Sequence, residues 1–374
     1  MLRIFMTGDN HIGLKYANHE HSDVLVSSRI SAFEKMVKTA NEENCDLFVI
    51  TGDLFENTTG PAKKEIKTLL DYLSGFTGTV AILPGNHDYY DDEVKVWRIF
   101  KDMMSSYDNI LLLKEYRPYP VNVHEEVVML YPALCTSKHS DAGLNNIGWI
   151  KESEMEKSAY HLGIAHGSVE GESLDDEGKY FPMKYEELES IPVDAWLIGH
   201  THVPFPRHIA ENYTSCGKIF NAGTHVQTDV ACNTEGLCFI VEIAEDKTVR
   251  AKKVVTGNLR FYRKNIEVVA EKMEQILIDE LKECADNSVV EVILTGAVTI
   301  DEYEERHQIL TSVLNRFLEG TYNDYKLSKL ISKELIDAEF SETSFSAKFL
   351  TSLLDHPKEA QLAYELLESL KEGK

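Results

Sequence analysis

The chain has 374 residues, 62 of them acidic and 38 basic, for a formal charge of −24. That length has room for more than one domain, and the acidic excess excludes a basic nucleic-acid-binding module, whose affinity comes from Lys and Arg on phosphates. Six cysteines without metal-ligand spacing read as reduced thiols of a cytoplasmic protein, and no apolar stretch approaches the ~18 residues of a membrane span.

Met1–Phe5 runs straight into a first strand, which leaves no room for a signal peptide. That strand, Leu2–Met6, is followed by Asp9-Asn10-His11. A helix comes next, with Ile30, Phe33, Met36, Val37 and Ala40 at helical spacing. Strand Leu47–Thr51 ends in Gly52-Asp53, and the helix after it carries Ile66, Leu69, Leu70 and Leu73. Strand Val80–Leu83 leads to Gly85-Asn86-His87-Asp88, and a helix marked by Val94, Trp97, Ile99, Phe100 and Met103 follows. Residues 110–165 read as shorter strands with irregular connections. Leu162–Ala165 delivers His166-Gly167, after which Gly167–Tyr180 is an acidic, turn-rich rim. Ala195–Ile198 delivers Gly199-His200-Thr201-His202. Gly236–Ile243 and Arg250–Thr256 read as paired strands that finish a second sheet.

Beyond residue 257 the pattern changes. Val269–Cys284 reads as a helix, Val289–Leu294 as a strand and Ile300–Leu318 as a long helix, which together predict a small α/β cap. After Gly320 loop and helices are expected. Phe340, Phe345, Phe349, Leu350, Leu353 and Leu354 form one apolar set. Ala363, Leu366, Leu367 and Leu370 form one face of a final helix that starts at Pro357. The expected division is a catalytic domain over 1–257, a cap over 258–325 and a helical segment over 326–374.

Five polar clusters at the ends of apolar strands point to one site on one edge of a sheet. Carboxylate, imidazole and amide oxygen, with no thiolate, suit manganese, iron, zinc or magnesium. Asp9 and His11, and likewise His200 and His202, are two residues apart and leave an extended segment on the same face. With Asp53 as a bridge, and Asn86 and His166 added, seven ligands are right for two divalent ions. His87, beside Asn86, is expected to act on the phosphate or the leaving oxygen, with Asp88 orienting it. Arg207 and His225 are candidates for substrate contact, as is Tyr213. His19 and His21 read as exposed loop residues.

The order D-x-H, GD, GNHD, H-G, GHTH resembles the calcineurin-like metallophosphoesterases. Arg29-Ile30-Ser31-Ala32-Phe33 at the opening of the first helix, Gly52-Asp53-Leu54-Phe55 and His166-Gly167-Ser168-Val169-Glu170-Gly171 resemble the SbcD and YhaO-type DNA-repair exonucleases, relatives of the meiotic recombination eleven nuclease. The resemblance covers roughly residues 1–245. It implies an α/β protein (an α+β sandwich) of two stacked mixed β-sheets flanked by helices, with a cap and C-terminal helices. It also implies a di-manganese centre and hydrolysis of DNA phosphodiesters by a hydroxide held between the two metals. A homodimer and an SbcC-type ABC ATPase, gripped by the C-terminal helices, are implied as partners. Two departures stand out. Glu56 occupies the place of a second catalytic His in many relatives, and Asn221-Ala222-Gly223-Thr224 replaces a Pro-Gly-Ser turn.

Three readings compete. The first is a nuclease acting on single-strand or duplex DNA ends. The second is a phosphodiesterase or phosphatase for a nucleotide or other small phosphoester, which the acidic balance suits. The third is a non-catalytic scaffold that binds a partner, against which the complete ligand set argues.

Overall fold

A computed structural model describes the chain except residues 141–143, 153–154, 156–157, 172–177, 233 and 372–374. Part of the expected rim over 167–180 therefore lies outside the described residues. The chain divides into two compact units, Met1–Arg260 and Phe261–Lys374.

The first unit opens as an alternating series: β1 (Leu2–Thr7), α1 (Ser22–Glu42), β2 (Leu47–Thr51), α2 (Lys63–Ser74), β3 (Thr79–Leu83), α3 (Lys95–Met104) and β4 (Ile110–Leu112). It continues through β5 (Tyr119–Val123), β6 (Glu126–Ala133), α4 (Gly148–Glu152), β7 (Tyr160–His166), α5 (Tyr185–Ser190) and β8 (Ala195–Gly199). Then come β9 (Thr214–Ser215), β10 (Ile219–Asn221), β11 (Leu237–Ile243) and β12 (Val249–Val255).

These strands form two sheets, ordered β4-β3-β2-β1-β11-β12-β9 and β10-β8-β7-β6-β5. Strands β1 to β4 run parallel, as do β6, β7, β8 and β10. Side-chain alternation builds the layers. Leu2, Ile4 and Met6 of β1, with Leu47 and Val49 of β2, meet Leu162, Ile164 and Leu197 of the other sheet in a shared core. Phe5, Phe48 and Ile50, on the opposite face, bury against Phe33, Met36, Leu69 and Trp97 of the first three helices. Trp196 and Ile198 turn outward from the second sheet onto Ile150 and Leu188. The fold is thus the expected mixed α/β arrangement of stacked sheets flanked by helices.

Three expectations are corrected. Helix α1 starts at Ser22, seven residues before Arg29, so the Arg29–Phe33 segment lies inside it. Its first turn has no apolar stripe to announce it. Strands β11 and β12 do pair, but they extend the first sheet, because β11 runs antiparallel to β1. Alternation reveals two buried faces and not which neighbour supplies the hydrogen bonds. The five clusters lie at the C-terminal ends of β1, β2 and β3 in one sheet and β7 and β8 in the other, so they meet across two sheets.

The second unit carries β13 (Arg260–Val269), α6 (Met273–Leu281), β14 (Ser288–Val298), α7 (Ile300–Leu314) and β15 (Glu319–Lys329), then α8 (Lys333–Glu339), α9 (Phe345–Leu353) and α10 (Pro357–Lys371). Its sheet order is β13-β14-β15, with β14 and β15 parallel. Strand β15 occupies residues where the sequence reads as loop; its alternating Tyr322, Asp324 and Lys326 bury too little to announce a strand. In α10 the buried positions are Ala360 and Tyr364, whereas Leu366 and Leu370 are exposed. Among the described residues, no helix is long and apolar enough to cross a membrane.

Candidate metal centre

The site is assembled by loops that zip to each other through the backbone. Asp9 N–H donates to Gly52 O at 3.1 Å and His11 N–H to Asp53 O at 2.9 Å. Asp9, His11 and Asp53 have φ of 48°, 46° and 49°, and His200 has 118°. Left-handed backbone at a non-glycine residue costs on the order of 1–3 kcal/mol each. Four such residues in one place mean that the surrounding sheets hold them there. Glycine is required where the loops touch. A Cβ on Gly52 would collide with the His166 ring, and one on Gly85 with the Asp53 carboxylate and backbone nitrogen.

Ligand-type atoms converge. Groups from Asp9, His11 and His202, from His11, Asp53 and His87, and from Asp9, Asp53 and His166 each lie within 4.8 Å of one another. His166 Nδ1 is 2.9 Å from Thr51 O, so that nitrogen carries the proton and Nε2 turns inward. There Nε2 sits 3.0 Å from Asn86 Oδ1 and 3.3 Å from Asp53 Oδ2. His200 Nδ1 is 3.1 Å from the same Asn86 oxygen, while its backbone N–H donates to both Asp9 oxygens at 3.1 and 3.0 Å. His11 Nε2 and His202 Nε2 face each other at 3.1 Å. The structure therefore brings together all seven residues expected as ligands.

The electrostatics suit a cation. Burial pushes Asp9 up to about 8, with the neighbouring Asp53 adding to the rise and His166 opposing it. Burial would raise Asp53 too, but His166, His11 and His87 outweigh it and hold that carboxyl well below the usual range. His166 is raised to about 9, since the Asp53 and Asp9 carboxylates overcome its burial. Burial pushes His202 down to about 3, helped by His11 and Arg29. Both rises occur where the lone pairs of a buried donor set converge. His11 Nδ1 is also buried without a hydrogen bond among the described residues. Glu56 Oε2 is 3.0 Å away, at ion-pair distance but without the N–H···O alignment of a hydrogen bond. Carboxylates, imidazoles and an amide oxygen, mutually buried, fit divalent cations of the hard-to-intermediate class.

Other expected site residues lie elsewhere or act differently. His87 lines the pocket, and its backbone N–H donates to Asp53 Oδ1 at 2.8 Å. Asp88 does not orient it. The Asp88 carboxylate is fully buried, accepts from Gly85 N–H at 2.7 Å and Phe55 N–H at 2.9 Å, and is pushed up to about 7 by burial and by Asp53. It braces two loops and touches no open space. His87 Nδ1 instead meets the backbone oxygen of Glu56 at 3.0 Å. His225 is buried beneath the site with Nε2 2.8 Å from Arg29 O, out of reach of substrate. Arg207 is exposed and lines two other depressions, not the pocket of His87. Tyr213 lies over Lys252 on β12, also away from the site. His19, by contrast, does line the pocket, as do Tyr16, Asn18, Thr228 and Asp229.

Arg29 has a role that the sequence does not reveal. Its buried guanidinium donates to the carbonyls of Asp9, Asn10, Val226 and Gln227 and to the Thr224 hydroxyl, at 2.7 to 3.4 Å. It stitches the first ligand loop to the loop after β10. An arginine inside a helix has no local signal for this, because its acceptors, the Tyr16 hydroxyl among them, lie 13 to 20 residues away on one side and 195 to 198 on the other.

Residues 2–204, more than half the chain, match the family described as calcineurin-like phosphoesterase. A protein named "Uncharacterized metallophosphoesterase YhaO" from Bacillus subtilis (strain 168) is 21% identical over 220 residues, which cover 54% of this chain and 48% of that protein. The chain thus spans about half the length of this curated relative. A crystal structure of a hypothetical protein from Thermus thermophilus aligns with a TM-score of 0.39 at 13% identity, covering 68% of this chain and 98% of that one.

Proposed function

Because the chain belongs to the calcineurin-like phosphoesterase family, we propose that it hydrolyses phosphodiesters in DNA as a manganese-dependent nuclease of the SbcD and YhaO type. The observation that carries a hydrolytic role is the convergence of Asp9, His11, Asp53, His166 and His202 within a few ångströms, beside a pocket of about 500 Å³ into which His87 opens. The motifs in Gly52–Phe55 and His166–Gly171 support the nuclease subtype.

Asp9, His11, Asp53, Asn86, His166, His200 and His202 would hold the cations. Such a pair lowers the pKa of water and neutralises charge on the phosphate. Gly52 and Gly85 let the ligand loops approach, and Thr51 O fixes the His166 ring so that Nε2 faces inward. The Glu56 carbonyl does the same for His87, accepting the Nδ1 proton and leaving Nε2 to deliver a second proton to the leaving oxygen.

A second reading, a phosphodiesterase for a nucleotide or other small phosphoester, is favoured by one observation. Among the described residues that line the pocket there is no Lys or Arg to track a nucleic-acid backbone. One experiment separates the two. Purified protein with manganese should shorten linear single- or double-stranded DNA from an end, and His87→Ala should lower that rate by about 10²–10⁴-fold while retaining manganese. Turnover of bis-p-nitrophenyl phosphate with intact DNA would instead establish the second reading.

The proposal extends to a homodimer working in DNA repair with an SbcC-type ABC ATPase, docked on the exposed Phe345, Leu362, Leu366 and Leu370 of α9 and α10. Deleting 335–374 should abolish co-purification with such an ATPase, and undiminished binding refutes the docking.

A further inference from the structure

The pocket beside the candidate cations is unusual in its charge. Its lining includes the carboxylates of Glu56 and Asp229, together with Tyr16, Asn18, His19 and Thr228. Any positive charge near a bound phosphate must then come from cations or protonated imidazoles.

Glu56 is held close to the chemistry at both of its ends. Its Oε2 lies 3.0 Å from His11 Nδ1, and its main-chain oxygen is 3.0 Å from His87 Nδ1. The side chain is 28% exposed, so it faces the pocket with only partial screening by water. A carboxylate fixed there opposes each added negative charge on the substrate. A phosphodiester carries one charge at neutral pH. A phosphomonoester carries close to two, its second pKa being about 6.

We propose that Glu56 is a specificity-determining residue that turns the site against dianionic phosphomonoesters and toward phosphodiesters. This deepens the phosphodiesterase reading above and rests on it. Glu56 acts by repulsion, the complement of attractive recognition in setting a preference between two substrates. One extra unit charge several ångströms away, at an effective dielectric near 20 and partly screened, is discriminated by on the order of tenfold or more.

The test compares wild type, Glu56→Gln and Glu56→Asp, all loaded with manganese, on bis-p-nitrophenyl phosphate and p-nitrophenyl phosphate. Bound manganese is measured in each, and orthophosphate affinity is titrated by calorimetry. Glu56→Gln should raise the monoester-to-diester ratio of kcat/KM by about tenfold and tighten orthophosphate by a similar factor. Glu56→Asp, which keeps the charge, should retain the wild-type ratio. An unchanged ratio and unchanged orthophosphate affinity in Glu56→Gln overturn the proposal. So does loss of manganese in that variant, which makes Glu56 a ligand and not a filter. A wild type that cleaves neither ester sinks the function proposed above, and the orthophosphate titration still decides the role of Glu56.

Discussion

In Met1–Arg260 polar side chains go inward, and in Phe261–Lys374 apolar ones stay outside. Among the described buried polar residues, all but Ser288 lie in the first unit, most of them around the candidate metal centre. The second unit leaves Phe345 at 78% exposure and Leu370 at 73%. Helix starts differ too. The N-cap side chains of α1, α2, α3 and α5 make no capping bond, and Glu65 alone reaches back to the start of α2; in the second unit α6 likewise lacks one, but Thr299, Ser332 and Ser344 cap α7, α8 and α9. In the first unit, burial of Phe33, Leu69 and Trp97 holds helices in place whatever their ends do. The second unit has a thinner core and relies on local hydrogen bonds, each worth about 1 kcal/mol. A large packed scaffold can tolerate strained backbone and buried charge at one spot, and the first unit uses that tolerance to hold a reactive site.

Breaking the first unit's polar interior should have the largest consequence. Asp53→Asn removes the carboxylate nearest both histidine sets, so metal affinity should fall by more than the ~100-fold typical of a change one shell out. Turnover should drop to background, and metal analysis with a chromogenic diester checks both. Retained metal and turnover would break the assignment of the centre.

Asp88→Ala comes next, as a change of stability. It orphans the Gly85 and Phe55 N–H donors, at about 1–3 kcal/mol for each unsatisfied group. Urea denaturation should show that loss. An unchanged midpoint would mean that Asp88 does not brace these loops and would return it to the role expected from sequence, orienting His87.

The smallest effect tests the second unit. Glu302 accepts from Thr299 N–H at 3.0 Å, Glu271 N–H at 2.9 Å and Met273 N–H at 3.0 Å. Burial alone would raise its pKa, but these bonds outweigh it and lower the value below 4.5. A depressed carboxyl gives stability that is complete above its unfolded pKa and is lost as pH falls through the folded value. Glu302→Gln should therefore cost about 1 kcal/mol at pH 7 and lose less than wild type between about pH 5 and pH 3. Thermal melts at both pH values measure it. An equal acid loss in both proteins would mean that the cap does not report on this unit.

The candidate centre was largely legible in the primary structure, because metal chemistry needs a narrow set of side chains and strand ends deliver them in order. Asp9, His11, Asp53, Asn86, His166, His200 and His202 meet as expected. Asp88 misled because a polar residue beside a ligand can point into the loop as easily as toward substrate, and His225 because the chain after the Gly223 turn runs inward, where its ring meets the Arg29 carbonyl. Arg207 misled because nearness in sequence to His202 does not bring it into the same pocket. Pocket residues Tyr16 and His19 carried no signal, being ordinary loop residues until the fold places them in the lining of the same pocket as Glu56.

In the first unit the sequence by itself determined most of the strand and helix alternation, the donor atoms and the points at which they leave the strands, since these depend on side-chain type and local spacing. Only the tertiary structure decided that the clusters come from two sheets, that β11 completes the first of them and that Arg29 ties distant loops beneath the site. Those outcomes depend on which strands pair and which carbonyls a buried guanidinium finds, and such choices are settled by contacts between residues far apart in the chain.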